Sequence, residues 1–131
     1  MHAVCADFLE TVGEAGLWDL VRRYDDHSAT AVCSMVAADL RGSAPSASAA
    51  GADATPPLHL FRGALQGSCV APRGDVRHGA RSWNGTFVPE ASAGGDGRTF
   101  GEMSYEEQSA MSHRHAALKA FMRHALPPAA G

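Results

Sequence analysis

The chain has 131 residues, with 11 basic and 14 acidic side chains giving a net charge of −3, and a mean hydropathy of −0.16. That length suits one domain rather than two, and 45% hydrophobic with 19% charged residues excludes both a membrane protein and a polyelectrolyte. Ten of the basic residues are arginine and Lys119 is the single lysine, so no broad basic field points to nucleic acid as a partner.

Val4, Phe8, Leu9 and Val12 fall on one helical face, and Leu17, Leu20, Val21 and Tyr24 resume the period after Gly13 and Gly16, which predicts two short helices with a break between them. Asp7 and Glu10 interrupt the apolar stretch that a signal peptide needs, and no run approaches the roughly 18 apolar residues of a membrane span. A soluble, cytoplasmic protein is expected. Cys5, Cys33 and Cys69 are odd in number and widely spaced, so they make neither a fully paired framework nor a C-x-x-C zinc knuckle and read as buried thiols in a reducing cytosol.

From Ser28 to Leu40, β-branched and small apolar residues occupy both faces, as in a covered strand, and Leu58 to Ala71 reads as its partner. Between them, residues 42–57 form a Ser/Ala/Gly/Pro stretch that cannot bury enough apolar surface to order itself, a low-complexity insertion at the tip of a long hairpin. Gly and Pro punctuation makes Pro72 to Arg98 mostly loop around a short strand at Trp83 to Val88. Ser104 and Glu107 form a capping-box pair that starts a helix; Ser112 extends it or caps a new one, and Pro127 and Pro128 end the helical run. Helices, a strand pair, a loop and a helix in that order predict an α/β or α+β layer.

Hydrolase elbows, phosphate loops and dinucleotide fingerprints are absent from the sequence. His113 and His115 stand too close for both to face one metal from a regular helix. Arg73, Arg77, Arg81 and His78 concentrate positive charge in a Gly-rich loop, either as a phosphate grip or as a solvated loop. Asp25 and Asp26 before a strand read as a self-satisfying turn more readily than as a cation site. The triplet Ser112-His113-Arg114 places an Arg fork and an imidazole near a helix start, chemistry suited to the O6/N7 edge of a 6-keto purine; its bland reading is an exposed helical turn.

Read together, Leu60-Phe61-Arg62-Gly63, Gly67-Ser68-Cys69-Val70-Ala71-Pro72-Arg73-Gly74, Thr99-Phe100-Gly101-Glu102-Met103-Ser104 and Ser112-His113-Arg114 resemble the inosine triphosphate pyrophosphatase (Ham1-like) family. Phe8-Leu9-Glu10, Gly16-Leu17 and Asp25 to Ala29 extend the likeness upstream. The resemblance implies an α/β fold with a central mixed sheet, a long hairpin and flanking helices, usually a homodimer. It also implies magnesium-dependent cleavage of a purine nucleoside triphosphate, ITP, XTP or dITP, to the monophosphate with pyrophosphate as product. His113 and Arg114 would contact the base and Ser112 would position them. Arg81, Ser82, Trp83 and Asn84 match the family's aromatic-Gly-aromatic-Asp segment, and Gln108 stands where the family has a lysine near the nucleotide.

This sequence departs from the pattern at Arg81, Ser82, Asn84 and Gln108, where an aromatic, Gly, Asp and Lys are expected. The family's Gly-Asn-x-x-Lys triphosphate loop and its acidic magnesium motifs do not occur in these residues. The chain therefore reads as one domain over residues 1–131 that lacks the family's N-terminal part and, alone, hydrolyses ITP poorly; its own catalytic and metal residues are expected to be none. The alternative is a non-catalytic module that binds a purine nucleotide or dimerises, and a poorly folding remnant is the third reading.

Overall fold

The computed structural model describes residues 6–40, 56–74 and 82–126. Helix α1, Ala6–Val21, is broken at Gly13, whose φ of 66° and ψ of 179° leave the helical region; Gly16 stays within the second segment. The break thus falls at the first of the two predicted glycines only. A turn follows in which Asp26 Oδ1 accepts from the Ser28 N–H at 2.8 Å, and this backbone bond holds the Asp26 carboxyl below its ordinary range. The adjacent acids therefore make a turn.

Strands β1, Ser28–Ala38, and β2, Leu58–Cys69, form the predicted long hairpin, in register from Ser28 opposite Ser68 to Ala38 opposite Leu58. At the end nearest the insertion the Asp39 N–H donates to the Pro57 carbonyl at 3.0 Å; most of the low-complexity insertion, residues 42–55, lies outside the described residues. Strand β3, Phe87–Pro89, adds to the other edge of β2. The order is β1-β2-β3. Where a mixed sheet is expected, these three strands all run antiparallel.

Two expectations are corrected. The segment from Trp83 to Val88 is not one strand, because Asn84–Thr86 is a 3-10 turn and only Phe87–Pro89 is extended. The Trp83 carbonyl accepts from the Thr86 N–H at 3.1 Å, closing the chain into a turn before it can pair. Nor is the hairpin covered on both faces. Burial alternates strictly along β1, and Val36 and Leu60, which pair on the outer face, are 64% and 67% exposed. Apolar character on both faces did not distinguish a covered face from one open among the described residues.

Helix α2, Tyr105–Met111, starts on the predicted Ser104–Glu107 capping box. Arg98 and the Ser104 N–H both hold the Glu107 carboxylate, which titrates at about 2. Ser112 then caps a separate helix, α3, His113–Ala125; the prolines beyond it lie outside the described residues. Helix α3 packs on the inner face of the hairpin, Phe121 edge-on to Phe61 at 5.5 Å. The buried core, Leu65, Phe87, Phe100 and Met103, sits at the β3 end, beneath the loops.

Gly63 sets how closely α3 approaches. A Cβ there would land on the His113 carbonyl and the Ala117 N–H, backbone atoms that cannot rotate away. Gly63→Ala is therefore expected to destabilise the protein by about 1–3 kcal/mol, the usual overpacking range, read as a lowered urea-unfolding midpoint.

Candidate functional site

A cleft of about 240 Å³ opens between the Trp83–Asn84 turn, the Phe100 turn and the junction of α2 with α3. Six of the eight residues predicted for nucleotide binding line it: Trp83, Asn84, Gln108, Ser112, His113 and Arg114. Ser82 is buried behind the wall, where its Oγ accepts from the Asn84 N–H at 3.1 Å and shapes the turn. Arg81 lies outside the described residues, as do Arg77, His78 and Cys5.

The triplet at the start of α3 divides its roles by geometry. Ser112 Oγ accepts from the Arg114 N–H at 3.2 Å, satisfying one free donor of the first helical turn. His113 is 5% exposed and its ring lies 5.5 Å from that of Trp83. Its Nδ1 is buried and has no hydrogen-bond partner. Such an atom is costly unless something satisfies it. Burial, and then the nearby Arg114 charge, push the imidazole pKa below its ordinary value, so it is neutral at pH about 7. The Arg114 side chain is exposed on the rim.

Trp83 belongs to an aromatic cluster, stacked on Phe100 at 5.8 Å and edge-on to Phe87 at 5.2 Å. This fixes its plane while part of its surface faces the cleft. The two amide N–H donors of Gln108 are committed: Nε2 donates to the Phe100 carbonyl at 2.7 Å and to the Met103 carbonyl at 3.2 Å. The residue in the lysine position thus ties the Phe100 turn to α2. Tyr105 and Ser109 also line the cleft; with Gln108 and Ser112 they follow the i, i+3, i+4, i+7 spacing, a signal present in the sequence but unused.

Of the arginine loop only Arg73 is among the described residues, and it does not line this cleft. Arg73 donates from Nη2 to the Gly97 carbonyl at 3.1 Å and faces the Glu102 carboxylate at 3.8 Å. His113 and His115 both border the cleft, yet no group of three or more His, Cys, Asp or Glu among the described residues is arranged to hold a metal ion. The described residues thus show no such cluster for the implied magnesium. Cys33 and Cys69 are free thiols, and burial pushes the Cys69 thiol up. No described helix is long and apolar enough to cross a membrane.

The α/β fold has solved counterparts. The Ham1 protein of Staphylococcus aureus superposes with a TM-score of 0.59 over 83% of this chain and 46% of that one, at 18% identity. The Ham1 family model matches residues 3–124, and the chain belongs to that family. Inosine triphosphate pyrophosphatase from Yarrowia lipolytica is 36% identical over 112 residues, 86% of this chain and 49% of that protein. The enzyme of the same name from Giardia intestinalis is 36% identical over 118 residues, 88% and 52% of the respective lengths. The chain spans about half the length of the curated relatives it matches.

The lowered His113 pKa has a definite sign. Above its ordinary 6.5 the imidazole is neutral in both folded and unfolded chains; below it, the unfolded chain takes up a proton that the folded one resists. Stability should therefore fall as pH drops from about 7 to about 5, and the fall should be shallower in His113→Gln. Urea midpoints of both proteins across that range check this.

Proposed function

We propose that this chain binds the 6-keto purine base of a non-canonical nucleotide in the cleft at the α2–α3 junction. The observation that carries the reading is that the His113 ring, set beside the Trp83 ring, and the exposed Arg114 guanidinium line the same cleft. A neutral imidazole offers one N–H donor, and the guanidinium offers a fork of donors. Aimed at O6 and N7, these suit hypoxanthine or xanthine. Adenine would turn an amino group toward the same donors, a mismatch of roughly 1–3 kcal/mol. Guanine shares O6 and N7, so its rejection falls to other groups in the pocket. Stacking on Trp83 would add about 1–3 kcal/mol.

The relatives' name, inosine triphosphate pyrophosphatase, supports hydrolysis of ITP to the monophosphate and pyrophosphate as the wider activity; beyond that name, we propose XTP and dITP as companion substrates and a cytoplasmic homodimer. Phosphoryl chemistry of this kind needs charge neutralisation and a positioned water. Magnesium would supply that, but the described residues offer it no ligand cluster. The chain's own residues are left to bind the base and orient it. The 131 residues alone are therefore proposed to bind the nucleotide and hydrolyse it poorly. This leaves the alternative of a non-catalytic binding module open to the same test.

Calorimetry with IMP and AMP tests the base reading: IMP should bind at least about tenfold more tightly than AMP, and Arg114→Ala should remove about 1.5–3 kcal/mol of IMP affinity. Equal binding of the two nucleotides, or an unaffected Arg114→Ala, overturns it. Magnesium-dependent pyrophosphate release from ITP by the purified chain, abolished by Arg114→Ala, would refute the poor-hydrolysis statement.

A further inference from the structure

The cleft wall at Trp83–Asn84 is anchored from the far side by a residue of α1. Gly85, which follows Asn84, donates its N–H to Glu14 Oε1 at 2.9 Å, across 71 positions of sequence. Gly85 is buried, and a Cβ there would meet the Glu14 carboxylate, which would have to shift, and crowd the Arg73 carbonyl. Glu14 reaches this point from the residue directly after the Gly13 break, where the helix restarts on a new course. The break and the carboxylate form one device, since an unbroken helix would carry residue 14 on a different path.

We infer that Glu14 is a positioning residue for the nucleotide cleft, acting through the Gly85 N–H to hold the turn that presents Trp83 and Asn84. The inference rests on the base-binding reading above. The bond holds Gly85, the middle residue of the turn, by its N–H, and the Arg73 N–H holds the same residue by its carbonyl at 2.8 Å. A carboxylate on a buried backbone N–H is a charge-assisted bond, stronger than its neutral counterpart. Losing it frees the turn to sample orientations in which the Trp83 face is turned from the cleft, and binding must then reorder it.

The test uses the full chain with Glu14→Ala and Glu14→Gln, since the amide of Gln keeps an acceptor oxygen for Gly85. In Glu14→Ala the Kd for IMP should rise about fivefold or more, and Glu14→Gln should return it to within about threefold of the parent. The Trp83 indole N–H resonance should shift in Glu14→Ala and move back in Glu14→Gln. A role limited to stability would lower the unfolding midpoint without this pattern of loss and rescue. The inference is overturned if Glu14→Ala binds IMP like the parent, or if Glu14→Gln binds as weakly as Glu14→Ala. If the parent itself binds no IMP, the base-binding reading fails, and an unshifted Trp83 resonance in Glu14→Ala would then overturn the anchoring role separately.

Discussion

The closeness of α3 to β2 at Gly63 governs the rest of the site. With no side chain at residue 63, the His113 carbonyl rests over the strand and Ala117 is fully buried against it. That contact fixes the height of the first turn of α3. Ser112 becomes a cap instead of a mid-helix residue, the His113 ring is driven under cover beside Trp83, and Arg114 is left on the rim. A helix seated an ångström or two higher would expose the imidazole, return its pKa toward the ordinary value and satisfy Nδ1 with water. Steric absence at one strand position thus sets the protonation state of a cleft residue.

The opposite wall is built from backbone hydrogen bonds that gather distant stretches of chain. The Val70 N–H donates to the Thr86 carbonyl and the Arg73 N–H to the Gly85 carbonyl, both at 2.8 Å. Thr99 Oγ1 donates to the Arg73 carbonyl at 3.1 Å, and Thr99 in turn shares a capping box with Glu102. Thr86 and Thr99, at 1% and 0% exposed, are buried polar residues whose hydroxyls find carbonyl acceptors nearby. Buried polar groups tolerate few alternative arrangements, because each lost bond leaves an unsatisfied group in a dry site. The loop is short of apolar mass, yet it is specified by this network.

Local rules wrote most of the secondary structure. The Ser104 box, the break near Gly13 and the turn at Asp26 each depend on neighbours a few positions away, and each was legible in the sequence; the hairpin, whose strands pair across 20 positions or more, was legible from the two apolar runs flanking a low-complexity stretch. The gathering of Trp83, Asn84, Gln108 and Ser112 to Arg114 came from a family likeness, not from periodicity, although the i, i+3, i+4, i+7 series from Tyr105 to Ser112 carried half of that wall. Three features were not legible because they depend on contacts far apart in sequence. The turn at Asn84–Thr86 replaced a strand because Thr86 and Arg73 claim its carbonyls. Among the described residues the outer hairpin face is open, although apolar residues such as Val36 and Leu60 lie on it. Glu14 gave no signal, since nothing near it in sequence names Gly85 as its partner.

Reading a base and cleaving a phosphoanhydride place different electrical demands on a site. In the proposed reading a neutral imidazole and a rim guanidinium meet the first demand, since hydrogen bonds to O6 and N7 need donors in place and only a modest charge. The second demand needs several positive charges around a polyanion and carboxylates to hold a metal. The cleft holds one permanent cation, Arg114, among its lining residues. Gln108, in the family's lysine position, has spent its donors on the Phe100 and Met103 carbonyls, and lowering the His113 pKa removes a second cation. The burial that keeps His113 neutral, as the proposed base reading needs, also leaves it without a charge to offer a triphosphate. In the proposed reading, recognition and hydrolysis pull the same residues in opposite directions, and the described part of this chain is built for recognition.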